Sequence, residues 1–92
     1  MDKQEKIAQL YQAIAALETP QRCAELFEDL CTAKEIEKMA ERLYAARLLM
    51  EGNTYSQVMA QTEISSATLS RVSRCVQYGK GYAALREKDS EI

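Results

Sequence analysis

The sequence contains very few of the residues that turn a chain: three glycines and one proline among 92 residues. A β-rich domain of this length needs many tight turns, which glycine and proline usually make. The apolar residues instead recur at steps of three and four positions, as in Ile7, Leu10, Tyr11 and Ile14. This spacing places side chains on one face of an α-helix. Together the two features predict an all-α fold.

Helix-capping residues divide the chain into about six predicted helices. A hydroxyl followed three residues later by Glu or Gln, as at Thr32 and Thr54, can satisfy the first backbone N–H groups of a helix. Gly52 follows the longest apolar stripe, where a left-handed residue commonly ends a helix. The predicted helices span about residues 4–17, 20–31, 33–51, 54–62, 66–78 and 80–89.

The composition excludes several classes of function. The chain has no histidine and has three cysteines, Cys23, Cys31 and Cys75. No nucleophile–histidine pair can therefore form, and neither a Cys₄ nor a Cys/His zinc site can be filled. With no glycine-rich phosphate loop either, we expect no enzyme, no metal and no cofactor, and three buried, reduced thiols. The lack of a long apolar run argues against a signal peptide or membrane-spanning helix and favours the cytoplasm.

The net charge of −2 is unevenly distributed along the chain. Residues 1–52 carry ten acids and seven bases, whereas residues 53–82 carry one acid, Glu63, and three bases, Arg71, Arg74 and Lys80. Contact with phosphates depends on local clustering of bases more than on total charge. The segment 53–82 is therefore the part of the chain most suited to contact nucleic acid.

Residues 54–78 fit a helix-turn-helix, in which a short helix and a second, DNA-reading helix are joined by a tight turn and fixed by apolar anchors. Val58, Ile64, Leu69 and Val72 stand where the anchors belong. Small polar side chains at the start of the second helix let its backbone approach base edges, and the arginines bracket them. The candidate DNA-binding residues are Ser56, Gln57, Ser66, Ala67, Ser70, Arg71 and Arg74.

Two positions depart from the usual motif. Glu63 stands where glycine often makes the turn, so either the backbone turns differently or a non-glycine residue adopts a positive φ. Met59, which we predict to point inward beside Val58, stands where alanine is common because the two helices touch. A flexible methionine can fit if the helices pack slightly wider.

Longer strings of sequence resemble known repressors. Residues 65–72, SSATLSRV, resemble the SxxTVSRV stretch in the reading helix of many bacterial repressors. The pattern from Leu30 to Arg71, with the runs EGNTY at 51–55 and SRVSRCVQYG at 70–79, resembles the Trp repressor superfamily and within it the YerC/YecD proteins. The resemblance implies one helical DNA-binding domain over residues 1–92, forming an intertwined homodimer. Helices at about 4–51 and 80–89 would dimerise, and the protein would act as a repressor of transcription on double-stranded DNA.

The resemblance also bears on a small-molecule ligand. In the tryptophan-sensing member, a hydroxyl and two arginines enclose the co-repressor, and Thr32, Arg42 and Arg71 match those positions. However, Val72 replaces the glycine that leaves space for the indole ring, and Cys75 replaces a serine that helps to hold the amino group. We therefore expect any co-repressor to be a molecule other than tryptophan, and Arg42 to pair with a nearby acid.

A second function remains open from the sequence. The same helices could dock a protein partner without binding DNA, and the overall acidity slightly favours such a helical interaction module. Salt-dependent DNA binding separates the two hypotheses.

Overall fold

The chain folds into six α-helices over residues 1–90, the part of the chain that the computed structural model describes. They are α1 (Lys3–Ala15), α2 (Pro20–Leu30), α3 (Ala33–Met50), α4 (Tyr55–Gln61), α5 (Ser66–Tyr78) and α6 (Gly81–Ser90). No strand occurs within these residues, so the all-α prediction is confirmed. The predicted boundaries are correct to within two residues.

The helices belong to two compact units, Met1–Ile36 and Glu37–Ile92, which we call the N-terminal unit and the C-terminal unit. The division falls in the first turn of α3. The assignment of all 92 residues to one domain stays a prediction.

In the N-terminal unit, polar side chains fix where the helices begin. The Asp2 carboxylate accepts a hydrogen bond from the backbone N–H of Glu5 at 2.8 Å and so caps α1. The Thr19 hydroxyl accepts from the backbone N–H of Arg22 at 3.2 Å, and Pro20 is the first residue of α2. Proline suits this position because a first-turn N–H has no partner within the helix.

Neither α1 nor α2 contains a buried residue. Ile7, Leu10, Tyr11 and Leu30 keep two fifths or more of their surface exposed. Cys23 and Cys31 carry free thiols but are half-buried, so the prediction of fully buried thiols is wrong for them. The apolar stripes predicted for these helices are present, but they are only partly covered within the chain.

The long helix α3 has well-defined ends. At its start the Thr32 hydroxyl accepts from the N–H of Glu35 at 3.1 Å, and the Glu35 carboxylate accepts from the N–H of Thr32 at 2.8 Å, completing the predicted capping box. At its end Gly52 adopts a φ of +97°, the left-handed conformation predicted for it. Asn53 then donates from both its backbone N–H and its side-chain amide to the carbonyl oxygen of Leu48.

The core of the C-terminal unit joins α3, α4 and α5. Two alanines of α3, Ala45 and Ala46, are fully buried, and their small side chains leave room for the other helices to approach. Val58 of α4 and Leu69 of α5 are also fully buried. The rest of the cluster is formed by Leu48 and Val72, with Leu49, Met50, Ile64, Val76 and Tyr82 packed against it.

One predicted core residue lies elsewhere. Met59 retains 39% of its surface exposed and is absent from the core cluster. A helical residue is rotated by about 100° from its neighbour. Because Val58 points into the core, Met59 lies on the flank of α4, and the prediction that it points inward is wrong.

Candidate nucleic-acid interface

The first helix of the predicted motif, α4, begins with a capping box. The Thr54 hydroxyl accepts from the N–H of Gln57 at 3.2 Å, and Oε1 of Gln57 accepts from the N–H of Thr54 at 2.7 Å. Ser56 and Gln57 are both exposed in this first turn. Because Oε1 of Gln57 holds the cap, the amide nitrogen is the part of this side chain that can donate to a phosphate.

The turn between α4 and α5 is made without a left-handed residue. Thr62 has extended backbone, with φ −130° and ψ 168°, and no non-glycine residue among 1–90 has a positive φ. Glu63 therefore does not adopt the positive φ of a glycine, and the backbone turns in a different way, which was the other possibility for this position. The Thr62 hydroxyl donates to the carbonyl oxygen of Val58 at 2.9 Å, and Ile64 packs against the core.

A carboxylate from α3 reaches this turn. Oε2 of Glu41 accepts a hydrogen bond from the backbone N–H of Glu63 at 2.9 Å. Two residues later the Ser65 hydroxyl accepts from the N–H of Thr68 at 3.2 Å and caps α5. The start of the second helix is thus fixed by its own cap and by a contact from α3.

Helix α5 has one buried and one exposed side. Leu69, Val72 and Ser73 are buried on the side that faces the core. The exposed side consists of Ser66, Ala67, Ser70, Arg71, Arg74, Gln77 and Tyr78. All five residues predicted on this helix to contact DNA are therefore brought together on one solvent-facing surface, which we call the α5 face.

The arrangement of the two arginines differs from the predicted one. At 100° per residue, Arg74 lies two turns after Ala67 and within about 20° of it around the helix axis. Ser70 lies between them along the helix, so Arg74 belongs to the middle of the α5 face. Arg71 lies at one edge of the face. One arginine can therefore reach into a groove, whereas the other is better placed for the sugar–phosphate backbone.

The charge of this region matches its geometry. Helix α4 has no charged side chain, and α5 carries two arginines and no acid. Small residues dominate the first turn and a half of the α5 face, where a helix N-terminus offers unpaired backbone N–H groups to an anion. The surface can therefore combine close approach with attraction to phosphate.

The α5 face also contains two exposed residues that are not among the predicted DNA-binding residues, namely Gln77 and Tyr78. They follow Ser70 and Arg74 at helical spacing, so the periodicity already contained the signal. Tyr78 is 80% exposed. Glu41 could not have been found this way, because its partner Glu63 is 22 residues away in sequence and no local pattern connects them.

The residues matched to a co-repressor site have different environments. Thr32 is exposed, and its hydroxyl accepts the α3 cap hydrogen bond. Arg42 and Arg71 are exposed, and Arg42 makes no ion pair within residues 1–90, so its expected pairing with an acid is absent. Val72 is 2% exposed and belongs to the core. Cys75 is a half-buried free thiol, so the prediction of a fully buried thiol is wrong for this residue as well. Valine at position 72 therefore fills space inside the C-terminal unit.

No group of three or more Cys, Asp or Glu side chains in residues 1–90 is arranged to hold a metal ion. Within the same residues, none of the helices is both long enough and apolar enough to span a bilayer.

Comparison with known proteins gives concordant matches. The sequence profile described as Trp repressor protein matches residues 5–88. An uncharacterized protein of Bacillus subtilis (strain 168) named YerC is 46% identical over 74 residues, which cover 80% of this chain and 71% of that protein.

Solved structures give the same result. A crystal structure of a TrpR-like protein from Eubacterium eligens ATCC 27750 superposes with a TM-score of 0.87 at 37% identity, covering 96% of this chain and 92% of the other. A Staphylococcus aureus protein proposed to be a Trp repressor superposes with a TM-score of 0.84 at 32% identity, covering 98% and 96%.

Proposed function

The chain belongs to the Trp repressor family, and from this premise we propose that it binds specific double-stranded DNA sequences as a homodimer and represses transcription. The family is one of DNA-binding regulators and not of enzymes. The cytoplasmic location predicted from the sequence stays a prediction.

The observation that carries the proposal is the α5 face. A reading helix must expose short side chains where it meets base edges and must be held firmly from behind. Ser66, Ala67 and Ser70 are exposed, while Leu69 and Val72 on the opposite side are buried in the core. We propose that the α5 face enters the major groove, with Arg74 directed towards the bases and Arg71 towards the backbone, and that Ser56 and Gln57 contact a neighbouring phosphate.

The proposal of a homodimer rests on the N-terminal unit. Its helices carry amphipathic stripes, yet no side chain in either helix is buried. A segment of 36 residues is below the size at which a domain usually sustains its own core. A second copy of this chain would supply the missing cover and place two reading helices about 34–36 Å apart, the half-site spacing of helix-turn-helix dimers, among which the Trp repressor is itself an example.

The proposed test begins with selection of bound sequences from a random pool of duplex DNA. We expect an enriched site with two related half-sites about one helical turn apart. The enriched duplex, which we call the selected site, then serves to test Ser70→Glu. A carboxylate at this exposed position would face the phosphates and bases and abolish specific binding, with the circular dichroism spectrum unchanged.

The matched control is Ser70→Ala, which removes the hydroxyl at the same exposed position without placing a charge on the α5 face. It should bind the selected site much more tightly than Ser70→Glu, because only the glutamate sets a negative charge against the DNA. If Ser70→Glu binds the selected site as tightly as the wild type, α5 is not the reading helix. If the wild type shows no salt-dependent binding to any duplex, the alternative of a protein-docking module becomes the better account.

A further inference from the structure

The contact between Glu41 and Glu63 joins helix α3 to the turn before α5. Glu41 lies on α3, four residues before the fully buried Ala45, so the core fixes the part of the helix from which its side chain extends. Its carboxylate reaches the turn that precedes α5 and accepts the Glu63 N–H at 2.9 Å. Glu41 itself is half-buried, whereas Glu63 is exposed.

The geometry of the turn explains why this contact matters. A glycine-containing turn fixes its own direction through a positive φ, but residues 62–65 contain no glycine and no positive φ. Extended backbone at Thr62 and Ser65 leaves the path of the chain to be set by what the turn touches. The turn is held by a hydrogen bond from the Thr62 hydroxyl and by the packing of Ile64 against the core. Between these two residues, the Glu41 carboxylate accepts a hydrogen bond from the backbone N–H of Glu63.

The negative charge of Glu41 also indicates that its role is to hold the turn and not to contact DNA. A carboxylate close to a surface that binds phosphates weakens binding through like-charge repulsion. An acid at this position is therefore unfavourable for DNA binding unless it has another effect. The hydrogen bond to the turn supplies one, because hydrogen bonds to a charged acceptor are stronger than those between neutral groups.

We propose that Glu41 is a positioning residue for DNA recognition: by holding the Glu63 N–H, it sets the angle and depth at which the N-terminus of α5 meets the base edges. This inference rests on the proposed DNA binding. It predicts that Glu41 contributes to discrimination between sequences and not to attraction for DNA in general, because the side chain acts through the backbone and carries the wrong charge to bind phosphate.

Three variants make this testable by the sign of their effect. Glu41→Ala removes both the charge and the acceptor, Glu41→Gln removes the charge but keeps an oxygen that can accept, and Glu37→Ala removes an exposed carboxylate one turn earlier on α3. Affinity is measured by fluorescence anisotropy for the selected site and for a scrambled duplex at one salt concentration.

If Glu41 positions the turn, Glu41→Ala should bind the selected site at least about tenfold more weakly, because each protomer of the proposed dimer loses one hydrogen bond to a charged acceptor. Its affinity for the scrambled duplex should stay the same or rise. Glu41→Gln should restore much of the binding to the selected site, because its neutral oxygen can still accept the Glu63 N–H. Glu37→Ala should bind both duplexes at least as tightly as the wild type. If Glu41→Ala instead behaves like Glu37→Ala, Glu41 is only a surface charge and the inference is wrong.

A second measurement reports on the contact without DNA. Amide hydrogen exchange, followed by NMR on the full-length protein, should be about tenfold faster at Glu63 in Glu41→Ala and unchanged in Glu37→Ala. Unchanged exchange at Glu63 in Glu41→Ala would overturn the inference even if DNA binding fell. Failure of the wild type to bind any duplex would overturn the proposed function, and with it the role assigned to Glu41 in recognition, whatever the exchange data show.

Discussion

The N-terminal and C-terminal units are equally well specified as helices but differ in what their helices bury. Both have side-chain caps at their helix starts, at Asp2 and Thr19 in one and at Thr54 and Ser65 in the other. Only the C-terminal unit encloses a cluster of fully buried side chains. Local signals therefore define helices in both units, whereas tertiary packing within one chain stabilises only the second.

This difference separates two roles. A reading helix needs a rigid support, which the core behind α5 provides through Leu69 and Val72. Amphipathic helices whose apolar side chains are at most half-buried are suited to packing against another molecule, since exposed apolar stripes are otherwise unfavourable. We infer that the C-terminal unit holds the DNA-reading surface and that the N-terminal unit provides assembly.

The largest effect on stability is expected from Leu69→Ala. Leu69 is fully buried, and truncating a buried leucine destabilises a protein by about 2–5 kcal/mol, because apolar contacts are lost and a cavity remains. Urea unfolding followed by circular dichroism measures this loss. Leu10→Ala is the counterpart in α1. If Leu10→Ala lowers the free energy of unfolding as much as Leu69→Ala at every protein concentration, the contrast between the units is wrong.

Assembly should respond to a charge on α1. Leu10 is 40% exposed within the chain. If a second copy covers it, Leu10→Asp should raise the dimer dissociation constant at least about a hundredfold, since a buried leucine is lost and a charge is placed in the interface. Sedimentation equilibrium measures this constant.

The control for this change is Gln12→Asp, which places the same charge on the polar side of α1. It should leave the dimer intact. A wild-type particle of 10.4 kDa, the mass of one chain, at micromolar concentration would contradict the proposed homodimer.

The caps offer a smaller and more local test. Thr54→Ala should lower the free energy of unfolding by about 1 kcal/mol, because the N–H of Gln57 loses its acceptor. Thr19→Ala removes the corresponding cap of α2 in the N-terminal unit. Thermal melts over a range of concentrations measure both. If α2 is stabilised by a second copy, the effect of Thr19→Ala should appear as a change in dimerisation, whereas that of Thr54→Ala should not depend on concentration.

The sequence predicted most of this structure because most of its signals are local. Caps such as Thr32 with Glu35, and the left-handed Gly52, act within a few residues and were correctly identified. The exposed placement of Ser70 follows from the same periodicity that buries Leu69. The helical period, however, predicts which side of a helix is apolar but not what that side packs against. It therefore could not distinguish an apolar face covered by the chain's own core from one left exposed.

What the sequence could not predict depends on contacts between distant residues. The burial of Val58 but not Met59 is set by the angle at which α4 packs, and the contact of Glu41 with Glu63 requires the relative position of α3 and the turn. These are the features on which discrimination between DNA sequences would depend.

The smallest effect is expected from tryptophan, which should leave the melting temperature unchanged. Val72 is a member of the buried cluster, in which Leu69 and Val58 are fully enclosed, so the side chain fills space that an indole ring would need. A ligand at a hundred times its dissociation constant would add about 2.7 kcal/mol to the free energy of unfolding. For a domain of this size that corresponds to a rise of about 10 °C or more, well within the reach of differential scanning fluorimetry.

The matched variant for this last prediction is Val72→Gly, which removes the side chain that fills the space. It should melt at a lower temperature because it leaves a cavity in the core. If tryptophan raises the melting temperature of this variant and not of the wild type, valine at position 72 is what prevents binding. If tryptophan stabilises the wild type, the core around Val72 opens to admit the ligand, and the C-terminal unit is less self-contained than its buried cluster indicates.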